Sequence, residues 1–532
     1  MKRLKERYIV IMDFLINLLA FIFSLSLIVA VHELGHLIFA KRAKILCFEY
    51  SIGMGPLIYK KKGKETDFAI RAIPIGGFVS MAGEGLQDAF LKKGMKIGIN
   101  LEEGHIKEIV LNPALPYEKA LTVEEFDVYG EKDNELFISG YVDSNLERFV
   151  VLEDAKYLMT ETKTQQISPY NRSFESKKFL PKFLTLIAGP FFNFILAFLL
   201  FFIVVSFTGK PQNSNVIGGV MDKSPALKAG LSNGDKITKI GDKDVTNWET
   251  LGISIAALEN YENVKVEYIK KGETNITTAY VNFRVDVSQL GISNTNKKGE
   301  VLINPLGAEI GLVAGNIEDK LQPGDIITHI TYKDERVEIT SWADIVKFTE
   351  KLDGGQAQIT YLRGEVSKDV YITVWERQVL KSQGVDAADI LIGVSPNYKY
   401  DFLYSLTQPF KDVYNSFYQV LMVVGFLFGG SKQIGVGDLS GPVGIFKIVG
   451  FYASGGILSL LAFIAFLSVN IGIINLLPIP ALDGGRILFI SIEAVTRKKI
   501  PRKVDAIVNN VFFVLLLLLL LFVTFKDIVR LF

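Results

Sequence analysis

The sequence predicts a polytopic α-helical membrane protein with four transmembrane helices, a β-hairpin and two copies of a small α+β domain. Apolar residues make up 49% of the 532 residues, and mean hydropathy is +0.29. Four separate segments are apolar for about the 20 residues that a bilayer core requires. A pattern of roughly ninety residues occurs twice between the second and third of these segments, as an internal repeat.

Charge and cysteine content exclude some classes. The net charge of +1 gives no sign of a nucleic-acid partner. The single cysteine, Cys47, excludes an internal disulfide and a cysteine-based zinc site, which would need several thiolates.

The first transmembrane helix is predicted at residues 9–40, after a basic segment at residues 1–8. A secretory signal peptide also begins with basic residues and an apolar core. Here the apolar run is too long, and cleavage would remove the sequence His32-Glu33-Leu34-Gly35-His36 or leave it at a new terminus. We therefore expect a retained span that contains this motif.

Two histidines and a glutamate at membrane depth are costly, so a functional role is expected. His32 and His36 are four positions apart and share one face of a helix, so both can reach one metal ion. Glu33 lies beside them, placed to take a proton from water on the metal. The alternative is a chance match with two core histidines. The chain has only four histidines, and two of them lie here, which favours the metal site.

Residues 41–83 are predicted to be a membrane-associated β region. Within them, residues 68–81 are predicted as a strand, a turn at Gly76 and Gly77, and a second strand, too short to span as a helix. An ordinary surface hairpin is the alternative. Residues 84–176 are polar with alternating patches, which predicts a cytoplasmic, mostly β insertion without an evident catalytic residue.

A second span, TM2, is predicted at residues 183–207, where Asn193 and nearby small residues favour close helix packing. The internal repeat follows. Leu231–Ile240 returns as Leu321–Ile330, and Val245–Trp248 returns as Ile339–Trp342. The pattern Ala-Gly-Leu-x-x-Gly-Asp-x-Ile-x-x-Ile resembles bacterial PDZ domains. That resemblance implies PDZ-like domains at residues 211–290 and 291–395, with grooves that capture peptide termini or extended peptides by strand addition.

Three segments complete the chain. Residues 402–450 are predicted as an interfacial amphipathic helix and a loop, residues 456–486 as the third span, and residues 508–527 as the fourth. In the third, two prolines and two glycines break the helix and aim Asp483 inward. Catalytic zinc needs three protein ligands, and Asp483 is the best candidate for the third. A helix-capping aspartate is the alternative.

Topology supports this ligand set. The histidines and Asp483 lie near the C-terminal ends of their spans, so they meet at one depth only if those helices run parallel. One intervening span gives that arrangement, and a full crossing by residues 402–429 would not. Most flanking lysines and arginines lie on the side where the first span ends, which predicts that this side is cytoplasmic. The basic residues at the N-terminus favour the opposite orientation. With the orientation that most of the flanking charges favour, the repeats are extracytoplasmic and the metal lies towards the cytoplasmic side of the cell membrane.

Taken together, these motifs resemble the site-2 protease family of intramembrane zinc metalloproteases, in the bacterial branch that includes regulator-of-sigma-E protease and its Gram-positive counterparts. The residues that carry the resemblance are His32–His36, Gly53–Pro56, Pro74–Val79, Ala188–Pro190 with Asn193, Ser440–Gly444 and Asn475–Gly485. The resemblance implies that His32, His36 and Asp483 bind Zn²⁺ and that Glu33 is the catalytic base. It makes residues 68–81 a membrane re-entrant β-hairpin that receives substrate at Gly76 and Gly77, and Asn475 a substrate-positioning residue.

The implied function is hydrolysis of peptide bonds within transmembrane segments of single-span proteins, in regulated intramembrane proteolysis. Such substrates include anti-sigma factors and remnant signal peptides, and we expect them to be trimmed beforehand by another protease. Two alternatives come from other classes. One is a membrane scaffold with peptide-binding PDZ domains and a non-catalytic metal site. The other is a transporter that uses His32, Glu33 and Asp483 as a metal or proton path.

Overall fold

The structure is a computed structural model that describes residues 2–83, 90–130, 135–161, 164–314, 317, 319–430, 433–435, 437 and 439–530. The chain divides into two compact units. We call Met1–Phe201 with Ser440–Phe532 the membrane unit, and Phe202–Leu439 the repeat unit. Parts of the predicted insertion at 84–176, of the second predicted PDZ-like domain and of the predicted segment 402–450 lie outside the described residues.

The membrane unit begins with one long helix, α1, Lys2–Arg42. Its segment Ile11–Arg42 is long and apolar enough to cross a membrane. Lys41 and Arg42 form its last turn, where positive charge is favourable to the helix dipole.

A folded sheet follows α1 and corrects the predicted hairpin. It consists of β1, Cys47–Lys61, and β2, Asp67–Met81. Residues 47–52 pair with residues 77–81 on one edge and with residues 67–70 on the other. The two halves of the predicted hairpin therefore flank β1 and do not pair with each other. Placing residues 47–52 between them satisfies backbone groups that a lone two-stranded hairpin would leave open.

The next strands form a small closed barrel. They are β3 Lys96–Glu102, β4 His105–Val110, β5 Lys119–Asp127, β6 Phe137–Val142, β7 Asn145–Leu158 and β8 Thr164–Gln166. Their order is β4-β3-β5-β6-β7-β8, and a parallel pairing of β4 with β7 closes the ring. Ile99, Ile106 and Ile138 lie in its core and are fully buried. Closure leaves few open strand edges. A short 3₁₀ turn, Tyr170–Arg172, leads to α2, Phe179–Thr208.

The repeat unit shows the predicted repetition in its elements. Its first part contains β9 Lys210–Pro211, β10 Ile217–Val220, α3 Pro225–Lys228, β11 Lys236–Ile240, β12 Lys243–Asp244, α4 Trp248–Ala256, β13 Val264–Ile269, β14 Ile276–Val281 and β15 Arg284–Val287. The second part contains β16 Ile292–Ser293, β17 Ala308–Glu309, β18 Leu312–Val313, β19 Ile326–Tyr332, β20 Glu335–Glu338, α5 Trp342–Thr349, β21 Gln356–Arg363 and β22 Val366–Thr373. In each copy two strands, a helix and two strands follow in the same order.

The two copies share one core and are tied together at their ends. The sheet orders β12-β11-β13-β14 and β20-β19-β21-β22 match strand for strand. After α6, Arg377–Ser382, come β23 Asp389–Leu391, β24 Val394–Pro396 and β25 Tyr398–Lys399. These strands pair with β15, β10 and β9, respectively, at the first copy. The domain bounds at 211–290 and 291–395 stay a prediction. The structure adds that the segment after the second copy pairs with strands of the first copy.

The last elements are α7 Phe402–Gly425, a π-helical turn Phe426–Gly430, α8 Pro442–Ser454, α9 Ile457–Leu476, α10 Asp483–Thr496 and α11 Arg502–Val529. Four helical segments of the described chain could cross a membrane, as expected: Ile11–Arg42, Phe179–Thr208, Ile457–Leu476 and Lys503–Val529. Helix α7 is not among them, and its place at the interface stays a prediction.

Helix α8 corrects the predicted loop after residue 439. Pro442 stands in its first turn, where proline is tolerated because its missing N–H has no helical partner. The backbone N–H of Gly444 donates to Asp527 Oδ2 of α11 at 2.7 Å. The carboxylate thus satisfies an open donor at the N-terminus of α8, and the helix forms where glycine and proline alone suggest a loop.

Candidate active site

Three ionisable side chains from two distant parts of the sequence meet in the membrane unit. His32 and His36 lie on α1, and Asp483 is the first residue of α10. His32 Nε2 is 3.1 Å from Asp483 Oδ2, His36 Nε2 is 3.3 Å from the same oxygen, and the two Nε2 atoms are 3.2 Å apart. Both histidines are buried. Two imidazole nitrogens and one carboxylate oxygen therefore converge on one point.

This donor set fits a zinc ion. Catalytic zinc is held by three nitrogen or oxygen ligands with a fourth position left open. One ligand atom from each of these residues lies within 4.8 Å of the others, so the three could hold one metal ion. The capping alternative for Asp483 finds no support here, because Leu482 is the N-cap of α10 and the carboxylate contacts the histidines.

Glycines allow the helices to come this close. A Cβ atom on Gly35 would lie 2.4 Å from the carbonyl oxygen of Ala188, and one on Gly189 would lie 2.3 Å from His36 Nε2. Helices α1 and α2 thus approach backbone to backbone, as small residues permit within membranes. On the Asp483 side, a Cβ on Gly484 would lie 2.2 Å from the carbonyl oxygen of Leu477. At Gly35, Gly189 and Gly484, therefore, the structure leaves no space for a side chain.

The non-helical segment before Asp483 is hydrogen-bonded to a neighbouring helix. Helix α9 ends at Leu476 and α10 begins at Asp483. Ala481 in the break has a φ of +73°, in the left-handed region that is strained for a residue with a Cβ. Its N–H donates to Asn509 Oδ1 of α11 at 2.9 Å. This contact satisfies a backbone group that lipid could not.

Each histidine makes a second contact, through Nδ1, with α2. His36 Nδ1 lies 2.8 Å from the carbonyl oxygen of Thr185, and His32 Nδ1 lies 3.2 Å from Asn193 Nδ2. Sequence reasoning assigned Asn193 only to helix packing and missed its contact with His32. The signal that could have identified it is an amide inside an apolar span, which is costly unless it has a partner.

A cavity of about 720 Å³ opens at this cluster. All of the predicted site residues line it: His32, Glu33, His36, Gly76, Gly77, Asn475 and Asp483. Phe513, Leu516 and Leu517 of α11 supply part of an apolar wall. An apolar cavity with a few convergent polar groups is typical of a binding site.

The sheet touches the cavity at Gly77. A Cβ there would lie 2.7 Å from Val29 Cγ1 and 3.2 Å from Glu33 Cγ, so only glycine brings the strand this close to α1. The Tyr50 hydroxyl donates to the carbonyl oxygen of Ala30 at 2.6 Å and fixes the sheet to the same helix. Burial, followed by the nearby charge of Glu33, raises the pKa of Tyr50 to about 12, so the hydroxyl keeps its proton.

Comparison with known proteins places the chain among metalloproteases. The family model for peptidase family M50 matches residues 20–519. Zinc metalloproteases named RasP are similar along nearly the whole chain. The protein from Geobacillus kaustophilus is 31% identical over 520 residues, covering 97% of this chain and 98% of the relative. That from Oceanobacillus iheyensis is 32% identical over 522 residues, covering 97% and 99%. That from Bacillus licheniformis is 31% identical over 523 residues, covering 97% and 99%.

Proposed function

The chain belongs to peptidase family M50, and on this premise we propose that it hydrolyses peptide bonds within the transmembrane segments of single-span membrane proteins. It is a zinc metalloprotease. The observation that carries the proposal is the convergence of His32, His36 and Asp483 beside Glu33, in a cavity bordered by helices apolar enough to cross a membrane.

His32, His36 and Asp483 hold the zinc, and Glu33 is the catalytic base. A zinc ion held by these three residues would supply Lewis-acid activation of the scissile carbonyl and of a water molecule. Glu33 takes the proton from the water and passes it to the leaving amine. Both the base and the ligands line one cavity, which supports the assignment.

Substrate must be presented in extended form, because a transmembrane helix satisfies its backbone hydrogen bonds internally and shields the scissile bond. Residues 77–81 offer an edge for strand addition. They pair with residues 47–52 on one side, and Gly77, Phe78 and Val79 border the cavity. An added strand offsets the unwinding of the substrate helix. Asn475, which also lines the cavity, positions the substrate.

The sheet dips into the membrane as a re-entrant element. Its strands expose apolar side chains, including Met54, Leu57, Ile58 and Ile73. Such a patch is unfavourable in water and favourable in lipid. This exposure supports the re-entrant placement better than it supports an ordinary surface sheet.

The protein crosses the cell membrane four times, with α7 at the interface. His32 lies in the C-terminal part of α1, and Asp483 follows the C-terminal end of α9. Their contact needs parallel helices, which one intervening span provides. On α7, Leu403, Phe410, Tyr414 and Tyr418 are exposed, and such aromatic side chains suit a membrane surface. The repeats are then extracytoplasmic, and the metal lies towards the cytoplasm.

The repeats are PDZ-like and select the substrate through the first copy. A groove of about 420 Å³ lies between α4 and residues 390–394, lined by Trp248, Leu251 and Ile255 of the helix. In the second copy Trp342, the counterpart of Trp248, is 2% exposed, whereas Trp248 is half-buried beside the groove. The first copy therefore takes peptide termini of trimmed substrates, such as anti-sigma factors or remnant signal peptides, and the second supports it.

Replacing Glu33 with glutamine tests the proposal. In Glu33→Gln cells we expect single-span fragments to accumulate in the membrane, and we expect the purified variant to keep its zinc. Glu103→Gln, the same change at an exposed position, is the matched control. Membrane proteomics and metal analysis make the measurements. Unchanged fragment levels in Glu33→Gln would favour the scaffold, and ion flux without proteolysis would favour the transporter.

A further inference from the structure

We propose that Asn193 is a positioning residue for the metal centre, whose side-chain carbonyl accepts a hydrogen bond from Nδ1–H of His32 and so directs Nε2 of His32 to the metal. This inference rests on the proposed ligand set of His32, His36 and Asp483. It goes further by assigning a role to a residue of α2 that is no ligand itself.

The two nitrogens of an imidazole have different roles when the ring binds a metal. A neutral ring carries one proton, and the nitrogen that binds a metal must be the other one. The protonated nitrogen then needs an acceptor, which sets the tautomer and the ring orientation. In His36 the acceptor is the carbonyl oxygen of Thr185, 2.8 Å from Nδ1. Because a carbonyl can only accept, Nε2 of His36 is left for the metal.

His32 has no backbone carbonyl in that role among its described contacts. Its Nδ1 faces the amide of Asn193, with Nδ2 at 3.2 Å. An amide nitrogen only donates, so this orientation would place the ring proton on Nε2, which faces Asp483 Oδ2 at 3.1 Å. A half-turn of the amide exchanges its oxygen and nitrogen within the same space. The oxygen then accepts from Nδ1–H, and Nε2 of His32 matches that of His36.

The burial of Asn193 shows that the amide serves the imidazole. Its side chain is fully buried, and Oδ1 has no hydrogen-bond partner in the described part of the chain. Among the described residues, the side chain makes one hydrogen bond, with His32. A buried amide with a single partner is unfavourable if it serves only helix packing, because three of its four possible hydrogen bonds are unused. Its presence is explained by the ring that it contacts.

One face of α2 serves both histidines. Thr185, Gly189 and Asn193 are spaced by four residues and therefore lie on the same side of the helix. Thr185 accepts from His36, and Asn193 contacts His32. Between them, a Cβ on Gly189 would lie 2.3 Å from His36 Nε2 and 2.8 Å from His32 Nε2. The Ser468 hydroxyl of α9 donates to the backbone carbonyl oxygen of Asn193 at 2.9 Å and does not contact its amide.

The test uses the full-length protein in detergent micelles, loaded with zinc. Three variants are compared with the natural chain. Asn193→Leu keeps a similar volume without a polar atom, and Asn193→Asp keeps an acceptor oxygen in either orientation. Ser468→Ala removes the hydrogen bond to the Asn193 backbone and leaves the amide. The readouts are zinc content, zinc loss to a chelator, and thermal unfolding of the zinc-free protein.

We expect Asn193→Leu to bind zinc about 10–100-fold more weakly, as is typical when an outer partner of a metal-binding histidine is removed. Asn193→Asp and Ser468→Ala should hold zinc at least as tightly as the natural chain. Natural zinc affinity in Asn193→Leu overturns the inference, and so does a loss in Asn193→Asp as large as that in Asn193→Leu. If Asn193→Leu fails to fold, Asn193→Asp decides alone. Retention of zinc by Asn193→Asp supports the inference, and loss of zinc overturns it. Retention of zinc by Asp483→Asn would instead refute the proposed ligand set, whatever Asn193 does.

Discussion

The membrane unit and the repeat unit each contain a cavity between a helix and an extended segment, and the two differ in what lines them. The cavity of about 720 Å³ in the membrane unit holds His32, Glu33, His36 and Asp483. The groove of about 420 Å³ in the repeat unit is apolar at α4 and carries Lys223, Arg284 and Lys297 among its lining residues. The first has the groups that the proposed bond cleavage needs, and the second has groups that the proposed capture of a chain end would use. Catalysis and selection are therefore expected to respond to different mutations.

The largest expected effect is at Asp483. Asp483→Asn leaves the shape of the residue and removes the negative charge that binds a cation. We expect zinc stoichiometry and cleavage to fall together towards zero, because only two strong ligands remain. Metal analysis and a cleavage assay on the purified protein measure both. The matched control is Asp222→Asn in the repeat-unit groove, which should leave zinc and catalysis intact. Zinc loss in Asp222→Asn, or zinc retention in Asp483→Asn, would contradict the assignment of the metal to the cavity of the membrane unit.

A second comparison concerns two buried aromatic counterparts. Trp342→Ala should destabilise the repeat unit by about 3–5 kcal/mol, because Trp342 is 2% exposed and its removal leaves a cavity. Trp248→Ala should cost much less stability, because Trp248 is half-buried and borders the open groove. It should instead weaken binding of peptides from trimmed substrates. Thermal unfolding and peptide titration separate the two effects. Equal destabilisation by the two substitutions, or peptide binding that depends on Trp342 alone, would contradict the proposal that the first copy binds the peptide.

A smaller effect is expected from glycines in the two units. Gly35→Ala should destabilise the packing of α1 on α2 by about 1–3 kcal/mol, because the new Cβ would meet the Ala188 carbonyl oxygen at 2.4 Å. Gly252→Ala on α4 meets no atom within 4 Å and should be neutral or stabilising, since alanine favours helix. Unfolding of each variant in detergent provides the measurement. Unchanged stability in Gly35→Ala would contradict the close backbone approach of α1 and α2 at this position.

Features that are local in the sequence were the easiest to predict. Apolar length predicts the four candidate spans, and the rarity of ionisable groups within spans points to His32, His36 and Asp483, which the structure brings together. Non-local pairings were missed. The sheet order around residues 47–52 depends on which strand edges meet, and the partner of Asn193 is 161 residues away. The sequence predicts a loop where α8 begins, because the carboxylate that completes the N-terminus of α8, Asp527, lies 83 positions after Gly444.

Locating the cut itself tests the proposed intramembrane cleavage most directly. The purified protein, reconstituted in lipid vesicles with a single-span substrate already trimmed outside, is analysed by mass spectrometry of the products. We predict a scissile bond inside the substrate's transmembrane segment, with cleavage lost on zinc chelation, restored by added zinc and absent in Glu33→Gln. A cut confined to residues outside the membrane, or a cut that Glu33→Gln still makes, would contradict the account.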